Sequence, residues 1–224
     1  MSNQVAVKIL GVTDYKEALT AMQSHNHDPT SPDEIWITEH LPVFTLGQSA
    51  EPPADMKIAD IPVIRTDRGG QITYHGPGQL IIYPLINLKR NQLMPLDMVS
   101  ILEKVAIEWL KEFGIDGVAD SKNRGIYVNG KKIASIGIRI KNGRSYHGIA
   151  INLQMDLSPF ESIDPCGIKG MEMAQTYDII GKNIGINEIK TIVLKLADRL
   201  HMDINQMIWV SDNDRSITKN KITW

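Results

Sequence analysis

The single cysteine of the chain, Cys166, stands between Pro165 and Gly167. Because these neighbours interrupt any hydrophobic run, the thiol is poorly placed to fill a core and is predicted at a loop edge, within reach of a substrate. A thiol with an ordinary pKa of about 8.5 is mostly protonated near neutral pH, so a nucleophile here needs a base or a cation beside it. The predicted chemistry is attack by an activated thiolate, and the alternative is an inert buried cysteine.

Two residues are candidates for activating this thiol, Lys132 and His147. Lys132 follows a predicted hairpin turn, and strand periodicity places it on one face with Ala134 and Ile136. Such an apolar face would favour the neutral amine and suit it to proton transfer, whereas a solvated turn lysine would only add surface charge. His147 lies in another predicted strand, where a structural hydrogen bond is the alternative role.

A glycine-rich stretch, residues 68–79, carries four glycines and one proline among polar side chains. Glycine lets a ligand approach the backbone closely and Pro77 fixes φ, so the stretch is predicted to be a rigid binding loop between two strands. The spacing fits neither a Walker phosphate loop nor a dinucleotide fingerprint, because no Gly-Lys-Ser/Thr follows and the glycines are misplaced. A plain surface turn is the alternative interpretation.

Local patterns predict the elements that must position these groups. Asp14 and Glu17 have the spacing of a capping box and predict that a helix begins there. Asn129-Gly130 predicts the tight turn of a β-hairpin over residues 125–140. The other predicted elements are strands over residues 5–10, 34–40, 42–47, 80–88 and 145–152, a helix over 96–113 capped by Asp97, and a last helix capped by Asn187.

The composition predicts one catalytic domain over residues 1–224, with the helix and tail from about residue 187 peripheral. A hydrophobic content of 42% is ordinary for a soluble protein, and a net charge of −2 argues against bulk nucleic-acid binding. One cysteine excludes an internal disulfide and a multi-cysteine zinc site, and His25 with His27 lacks a visible third metal ligand. Without a leader or a membrane-spanning apolar run, a cytoplasmic location is expected.

Four motifs in the same order resemble the lipoyl(octanoyl) transferases, namely residues 68–79, 132–137, 147–152 and 165–167. The likeness runs over about residues 34–173 and weakens beyond them. It implies an α+β fold with a mixed, largely antiparallel sheet flanked by helices, shared with lipoate and biotin protein ligases. Carried over by motif, Cys166 would be the catalytic acyl acceptor and Lys132 its catalytic partner. The substrate-binding residues implied in the same way are Arg68, Gly69, Gly70, Gln71, Ile72, Thr73, Tyr74, His75, Ser135, Ile136, Gly137, Gly148, Ile149 and Ala150.

The resemblance implies an acyltransferase of lipoate biosynthesis and protein lipoylation that needs no cofactor and no metal. It would move an octanoyl group from octanoyl-acyl carrier protein, through a Cys166 thioester, to a lysine of lipoyl domains. The acceptors would be lipoyl domains of 2-oxoacid dehydrogenase complexes and the glycine-cleavage H protein, with no nucleic acid or membrane as partner. Because both protein partners are generally acidic, Arg68, Lys141 and Arg144 are expected on a basic docking rim.

Two alternatives to this function remain at this point. The first is an ATP-dependent lipoate or biotin protein ligase of the same fold, which activates its acid as an adenylate and has no need of a nucleophilic thiol. The second is a non-catalytic module that binds an acyl group or its carrier in the same pocket. The thiol in Pro165-Cys166-Gly167 weighs against the ligase, and a pocket-facing Lys132 opposite the only thiol weighs against the binding module.

Overall fold

A computed structural model of the chain describes residues 3–51, 57–168 and 170–210, and the side chain of Cys166 lies outside the described part. Within these ranges the strands are β1 (Asn3–Thr13), β2 (Asp33–His40), β3 (Val43–Leu46), β4 (Lys57–Ile58), β5 (Ile61–Arg65), β6 (Ile72–His75), β7 (Gln79–Leu85), β8 (Val118–Ala119), β9 (Gly125–Val128), β10 (Lys131–Lys141), β11 (Arg144–Asn152) and β12 (Met202–Trp209). The helices are α1 (Tyr15–His27), α2 (Pro95–Lys111), α3 (Thr176–Ile180) and α4 (Ile186–Arg199), and short 3-10 turns span Ser158–Ser162 and Pro165–Gly167.

The described strands form two sheets. The larger has eight strands in the order β12-β1-β2-β7-β11-β10-β9-β8, and the smaller has four in the order β4-β5-β3-β6. In the larger sheet β1 pairs in parallel with β12 and β2, and every other neighbouring pair is antiparallel. The prediction of a mixed, largely antiparallel sheet flanked by helices is confirmed.

The main core lies between the larger sheet and the helices α2 and α4. Both helices bury an apolar stripe against the strands, and the Trp109 indole on α2 also donates a hydrogen bond to the Glu188 carbonyl on α4 at 2.8 Å. The expectation that the chain is peripheral from about residue 187 is therefore wrong for α4, which supplies half of this helical layer, and for β12, which extends the sheet. Among the described helices, none is both long and apolar enough to cross a membrane.

Two of the predicted local signals, the Asp14 cap and the Asn129-Gly130 turn, are confirmed, and the predicted cap at Asp97 is corrected. The Asp14 carboxylate accepts two backbone N–H groups of the first turn of α1, at 2.8 and 3.1 Å, so the predicted cap is confirmed. Asp97 lies inside the first turn of α2 rather than at its cap, and it accepts the backbone N–H of Met94 at 2.7 Å. Asn129 and Gly130 have φ of 50° and 80°, which confirms the predicted hairpin turn.

Candidate active site

A cavity of about 460 Å³ lies between the larger sheet and the glycine-rich loop. The larger sheet contributes a face with small side chains, Ser135 and Gly137 on β10 and Gly148 and Ala150 on β11. The glycine-rich loop contributes residues 68–73 and His75 from the opposite side. Every substrate-binding residue predicted from the motifs lines this cavity, with the exception of Tyr74.

Tyr74 lies on the opposite face of β6 from Thr73 and His75, because neighbouring side chains alternate along a strand. Its ring packs against Phe44 at 5.3 Å and edge-on against Phe160 at 5.5 Å, between ring centroids. This aromatic contact belongs to the cluster under the smaller sheet. Tyr74 therefore supports the loop from behind and does not face the cavity.

Arg68 fixes the shape of the glycine-rich loop. Its guanidinium donates to the Thr45 carbonyl at 2.7 Å, to the Thr45 hydroxyl at 2.8 Å and to the Gln71 carbonyl at 2.9 Å. Only 8% of the residue is exposed, so the expectation of a docking-rim residue is wrong. Arg144 is also buried, at 1% exposure, and donates to the carbonyls of Ser31 and Pro32. The expectation that Arg144 lies on the docking rim is therefore wrong too. Of the three expected rim residues, Lys141 is exposed.

The strand β10 departs from its period of two next to Lys132. Lys132 pairs with Tyr127 and Ala134 pairs with Ile126, so Ile133 is one residue too many for the partner strand. Because paired residues share a face, this β-bulge puts Lys132 on the face of Tyr127 and Ala134 on the opposite face. The prediction that Lys132 shares the face of Ala134 is therefore wrong, and the bulge directs the amine into the cavity.

The Lys132 side chain is buried at 1% exposure and runs over the backbone of Gly125. Its ammonium donates to the Arg124 carbonyl at 3.1 Å and lies 5.5 Å from the centre of the Tyr127 ring. A Cβ on residue 125 would stand 2.5 Å from the Lys132 Cε, so only glycine leaves this path open. The carbonyl and the ring face both stabilise a cation, so they hold the Lys132 ammonium in a defined position.

Backbone pairing brings the segment after the cysteine alongside Lys132. The Lys132 N–H donates to the Glu172 carbonyl at 2.9 Å, and the Ala174 N–H donates to the Lys132 carbonyl at 2.9 Å. The Pro165–Gly167 turn contacts β6, and Pro165 itself lines the cavity.

The glycine-rich loop meets this turn from the other side. The Gln71 carboxamide lies 3.6 Å from the point that a Cβ on Gly167 would occupy. The turn that carries Cys166 therefore lies between the cavity, which Pro165 lines, and the Gln71 side chain of the glycine-rich loop.

His147 reaches the cavity through an unusual backbone conformation. Its φ of 56° lets the ring stack on the neighbouring Tyr146 with centroids 4.9 Å apart, instead of pointing to the opposite face. Both rings meet Asp67: the Tyr146 hydroxyl donates to one carboxylate oxygen, and the His147 Nε2 donates to the other at 3.0 Å. The His147 Nδ1 then accepts from the Tyr15 hydroxyl at 3.4 Å, a long hydrogen bond.

This arrangement keeps His147 neutral and Asp67 ionised. Burial lowers the pKa of His147 more than the neighbouring Asp67 raises it. The hydrogen bond from His147 holds the pKa of Asp67 low, at about 2, and burial raises the pKa of Tyr15 to about 12. Asp67 and Tyr15 were not predicted, because neither lies in a motif and 132 positions separate Tyr15 from His147.

Two more neutral histidines lie beside this group. His40 accepts from the Tyr83 hydroxyl at its Nε2, at 2.7 Å, and donates from Nδ1 to a backbone carbonyl at 3.2 Å. His75 donates from Nδ1 to the Gln79 side chain at 2.7 Å and accepts from the Thr45 hydroxyl at 3.3 Å. Burial lowers the pKa of His40 to about 4 and that of His75 well below its ordinary value, and it raises the pKa of Tyr83. The network therefore holds neutral rings of fixed orientation.

No three histidine, cysteine or acidic side chains come together in the described ranges in a way that could hold a metal ion. The His25 Nε2 instead makes a hydrogen bond with the Pro32 carbonyl, at 3.1 Å. Among the side chains that line the cavity are the Lys132 amine, neutral imidazoles and the phenols of Tyr15 and Tyr83.

The chain matches the family model of the lipoyl protein ligase A/B catalytic domain over residues 14–197. It is 48% identical to the octanoyltransferase of Vibrio vulnificus strain CMCP6, over 89% of this chain and 93% of that protein. It is 44% identical to the octanoyltransferase of Pseudomonas entomophila, over 85% of this chain and 89% of that protein.

Solved structures share the fold at low sequence identity. Lipoate-protein ligase A bound with ATP superposes with a TM-score of 0.71 at 16% identity, over 93% of this chain and 90% of that chain. Biotin protein ligase from Aquifex aeolicus in complex with biotin and ATP gives 0.55 at 15% identity, over 88% and 70%. The chain therefore belongs to the lipoyl protein ligase A/B catalytic domain family, and its relatives at 43 to 48% identity are acyltransferases of the octanoyltransferase type.

Proposed function

We propose that this member of the lipoyl protein ligase A/B catalytic domain family transfers an octanoyl group to a lysine of lipoyl domains, with Cys166 as the covalent acyl acceptor. The observation that carries the proposal is the placement of Lys132. A β-bulge directs its amine into the cavity, and backbone hydrogen bonds hold the segment after Cys166 against the same residue. The cavity itself has a size and a floor of small residues suited to an acyl chain.

The reaction has two acyl-transfer steps that balance without a cofactor. In the first, the Cys166 thiolate attacks the carbonyl of the octanoyl thioester on an acyl carrier protein, a new C–S bond forms, the C–S bond to the carrier breaks, and the carrier leaves as a thiol with a proton from the Lys132 ammonium. Exchange of one thioester for another is nearly neutral in free energy. In the second, the acceptor lysine attacks the acyl-Cys166 carbonyl, an amide C–N bond forms and the C–S bond breaks.

Lys132 serves both steps as the proton carrier. The acceptor lysine has an ordinary pKa of about 10.4, so its ammonium first loses one proton to the solvent, and the attacking amine then loses a second proton to become an amide. Lys132, left neutral by donating its proton in the first step, takes that second proton. In the first step the charged form of the same side chain stabilises the thiolate of Cys166. Because formation of an amide from a thioester is downhill, the cycle needs no ATP, unlike that of a ligase.

Intact-mass analysis tests the covalent step. The wild-type protein, incubated with octanoyl-acyl carrier protein and no nucleotide, should gain the mass of one octanoyl group, and Cys166→Ser should gain none. Lys132→Arg should lose turnover because arginine stays protonated, whereas Lys131→Arg, at the exposed neighbour paired with Glu172, is the matched control with near wild-type rates.

Four outcomes would count against the proposal. Normal multiple turnover by Cys166→Ser would refute an acyl-enzyme intermediate on Cys166. Wild-type rates for Lys132→Arg would leave that residue with a positioning or purely cationic role. Adduct formation that strictly requires ATP would place the protein with the ligases that share its fold, and binding without any turnover would leave a non-catalytic acyl-binding module.

A further inference from the structure

We propose that four interlocked rings, Tyr15, His75, Tyr83 and His147, form an end wall of the cavity and set the maximum length of the acyl chain. The inference rests on the proposed octanoyl transfer and adds to it the structural basis of chain-length selection. All four residues line the cavity, and none is more than 7% exposed.

The end wall stands at the far side of the cavity from the Lys132 amine. The amine lies over β9, at the Arg124 carbonyl, whereas Tyr83 is on β7. The order β9-β10-β11-β7 separates the two by three strand spacings, which is about 14 Å. An extended octanoyl chain has seven C–C bonds and spans about 9 Å. The difference between these two lengths, about 5 Å, is close to the reach of the Tyr83 side chain from its strand. The terminal methyl group of an octanoyl chain therefore meets the wall.

The strands between these two points provide the path for the chain. Ser135 on β10 pairs with Ala150 on β11, and Gly137 pairs with Gly148, so the face that the acyl chain must cross carries almost no side-chain volume. All four of these residues line the cavity. On the next strand, β7, the same face carries the larger side chains of Ile81 and Tyr83, and the path ends at the four rings.

The rings of the end wall hold one another in place. Tyr15 stacks on His75 with centroids 5.7 Å apart and an interplanar angle of 7°, and Tyr83 packs edge-on against His147 at 6.4 Å. His40 packs behind them, 5.0 Å from Tyr15 and 5.8 Å from Tyr83. A ring can therefore move only if its neighbours move with it.

Hydrogen bonds anchor the rings a second time. Tyr83 is tied to His40 at 2.7 Å, His75 to Gln79 at 2.7 Å, and His147 to Asp67 at 3.0 Å. A wall of leucine or methionine could repack around a longer chain, but here a ring that swings aside leaves a buried polar partner unsatisfied. We therefore expect a chain two methylene groups longer than octanoyl to be disfavoured by about tenfold or more in kcat/KM.

Substitution of Tyr83 tests the wall by a ratio measured within each protein. The readout is kcat/KM for decanoyl- and dodecanoyl-carrier protein divided by kcat/KM for octanoyl-carrier protein, because this ratio cancels any loss of folded enzyme. Tyr83→Leu opens the wall and should raise the ratio by about tenfold. Tyr83→Phe keeps the ring and removes its anchor, so its ratio should fall between those of the wild type and Tyr83→Leu. Tyr74→Leu is the matched control, because Tyr74 is equally buried at 4% but faces away from the cavity, and it should keep the wild-type ratio.

The outcomes separate this inference from the proposed function. If wild-type protein transfers octanoyl groups but Tyr83→Leu keeps the wild-type ratio, the end wall is refuted while the transfer stands. An unchanged ratio in Tyr83→Phe beside a raised one in Tyr83→Leu would refute the anchoring role of the hydrogen bond. Direct binding of octanoate, decanoate and dodecanoate to Cys166→Ser, measured by calorimetry, gives the same length profile without turnover. In the double variant Cys166→Ser/Tyr83→Leu, the binding preference should shift toward the longer chains. An unchanged binding preference would refute the wall even if no transfer is seen.

Discussion

Mild acid should destabilise this protein, because His40 and His75 are neutral and fully buried in the folded chain. Burial lowers the pKa of His40 to about 4 and that of His75 well below its ordinary value. In the unfolded chain both rings are solvated and titrate near pH 6.5. As the pH falls below 6.5, the unfolded state therefore binds protons that the folded state cannot accept.

The size of the effect follows from linkage. One proton of difference changes the free energy of unfolding by about 1.4 kcal/mol per pH unit, so two histidines together give about 2.7 kcal/mol per unit. The contribution is fully present above pH 6.5 and is lost between pH 6.5 and about pH 4, where His40 alone accounts for about 3 kcal/mol. Asp67, whose pKa is lowered to about 2, keeps its own stabilising contribution over this whole window. A domain stability of about 5 to 15 kcal/mol makes a loss of this size easy to measure.

Urea unfolding measured at steps of half a pH unit, from pH 7.5 to pH 4.5, gives the slope of the unfolding free energy against pH. His40→Gln removes one of the protons taken up on unfolding and should reduce the slope by about 1.4 kcal/mol per pH unit, whatever its effect on stability at pH 7.5. His27→Gln is the matched control, because His27 is exposed on the last turn of α1 and is surrounded by solvent in both states. A slope near zero below pH 6.5, or one that His40→Gln leaves unchanged, would refute the assignment of neutral buried rings.

Two further predictions concern the cavity walls. Gly125→Ala should abolish most of the transfer activity and cost about 1 to 3 kcal/mol of stability, because its Cβ would lie 2.3 Å from the Ala134 carbonyl oxygen and 2.5 Å from the Lys132 Cε. Gly130→Ala has open space around its Cβ but a φ of 80°, so it should cost stability while keeping the activity, as turnover and urea midpoints of both variants will show. Ala150→Leu should shift the preference toward chains shorter than octanoyl before it affects folding, and an unchanged hexanoyl-to-octanoyl ratio would remove Ala150 from the path of the acyl chain.

Much of the fold could be predicted because its signals are local. The cap at Asp14 and the Asn129-Gly130 turn depend on residues within four positions of one another, and the structure contains both. The role of the C-terminal part could not be predicted in this way. Strand β12 pairs with β1 across about 200 positions of sequence, and a shift of register after Ile204 interrupts the alternation of apolar residues that would distinguish this strand from a tail.

The glycines show a further limit of sequence reasoning. Gly148 was predicted to leave room for a ligand, and it lines the cavity. Its small size is also required by the sheet itself, since a Cβ there would lie 2.0 Å from the carbonyl oxygen of Ile82 on the neighbouring strand. A glycine can thus satisfy a packing need and a binding need at one position, and the sequence pattern cannot separate the two.

The chemistry of the cavity depends on two places where a strand breaks its own period. Strict alternation would place Lys132 on the face of Ala134, under the helical layer, and would place the rings of Tyr146 and His147 on opposite sides of β11. The extra residue at Ile133 and the left-handed backbone of His147 each move one functional side chain to the cavity face. Both deviations weaken a strand locally, so they persist only because other contacts compensate for them. For His147 the compensation is the hydrogen bond to Asp67, which lies 80 positions away in sequence. Prediction from periodicity therefore fails at these two sites for a physical reason: long-range contacts stabilise the conformations that bring Lys132 and His147 to the cavity.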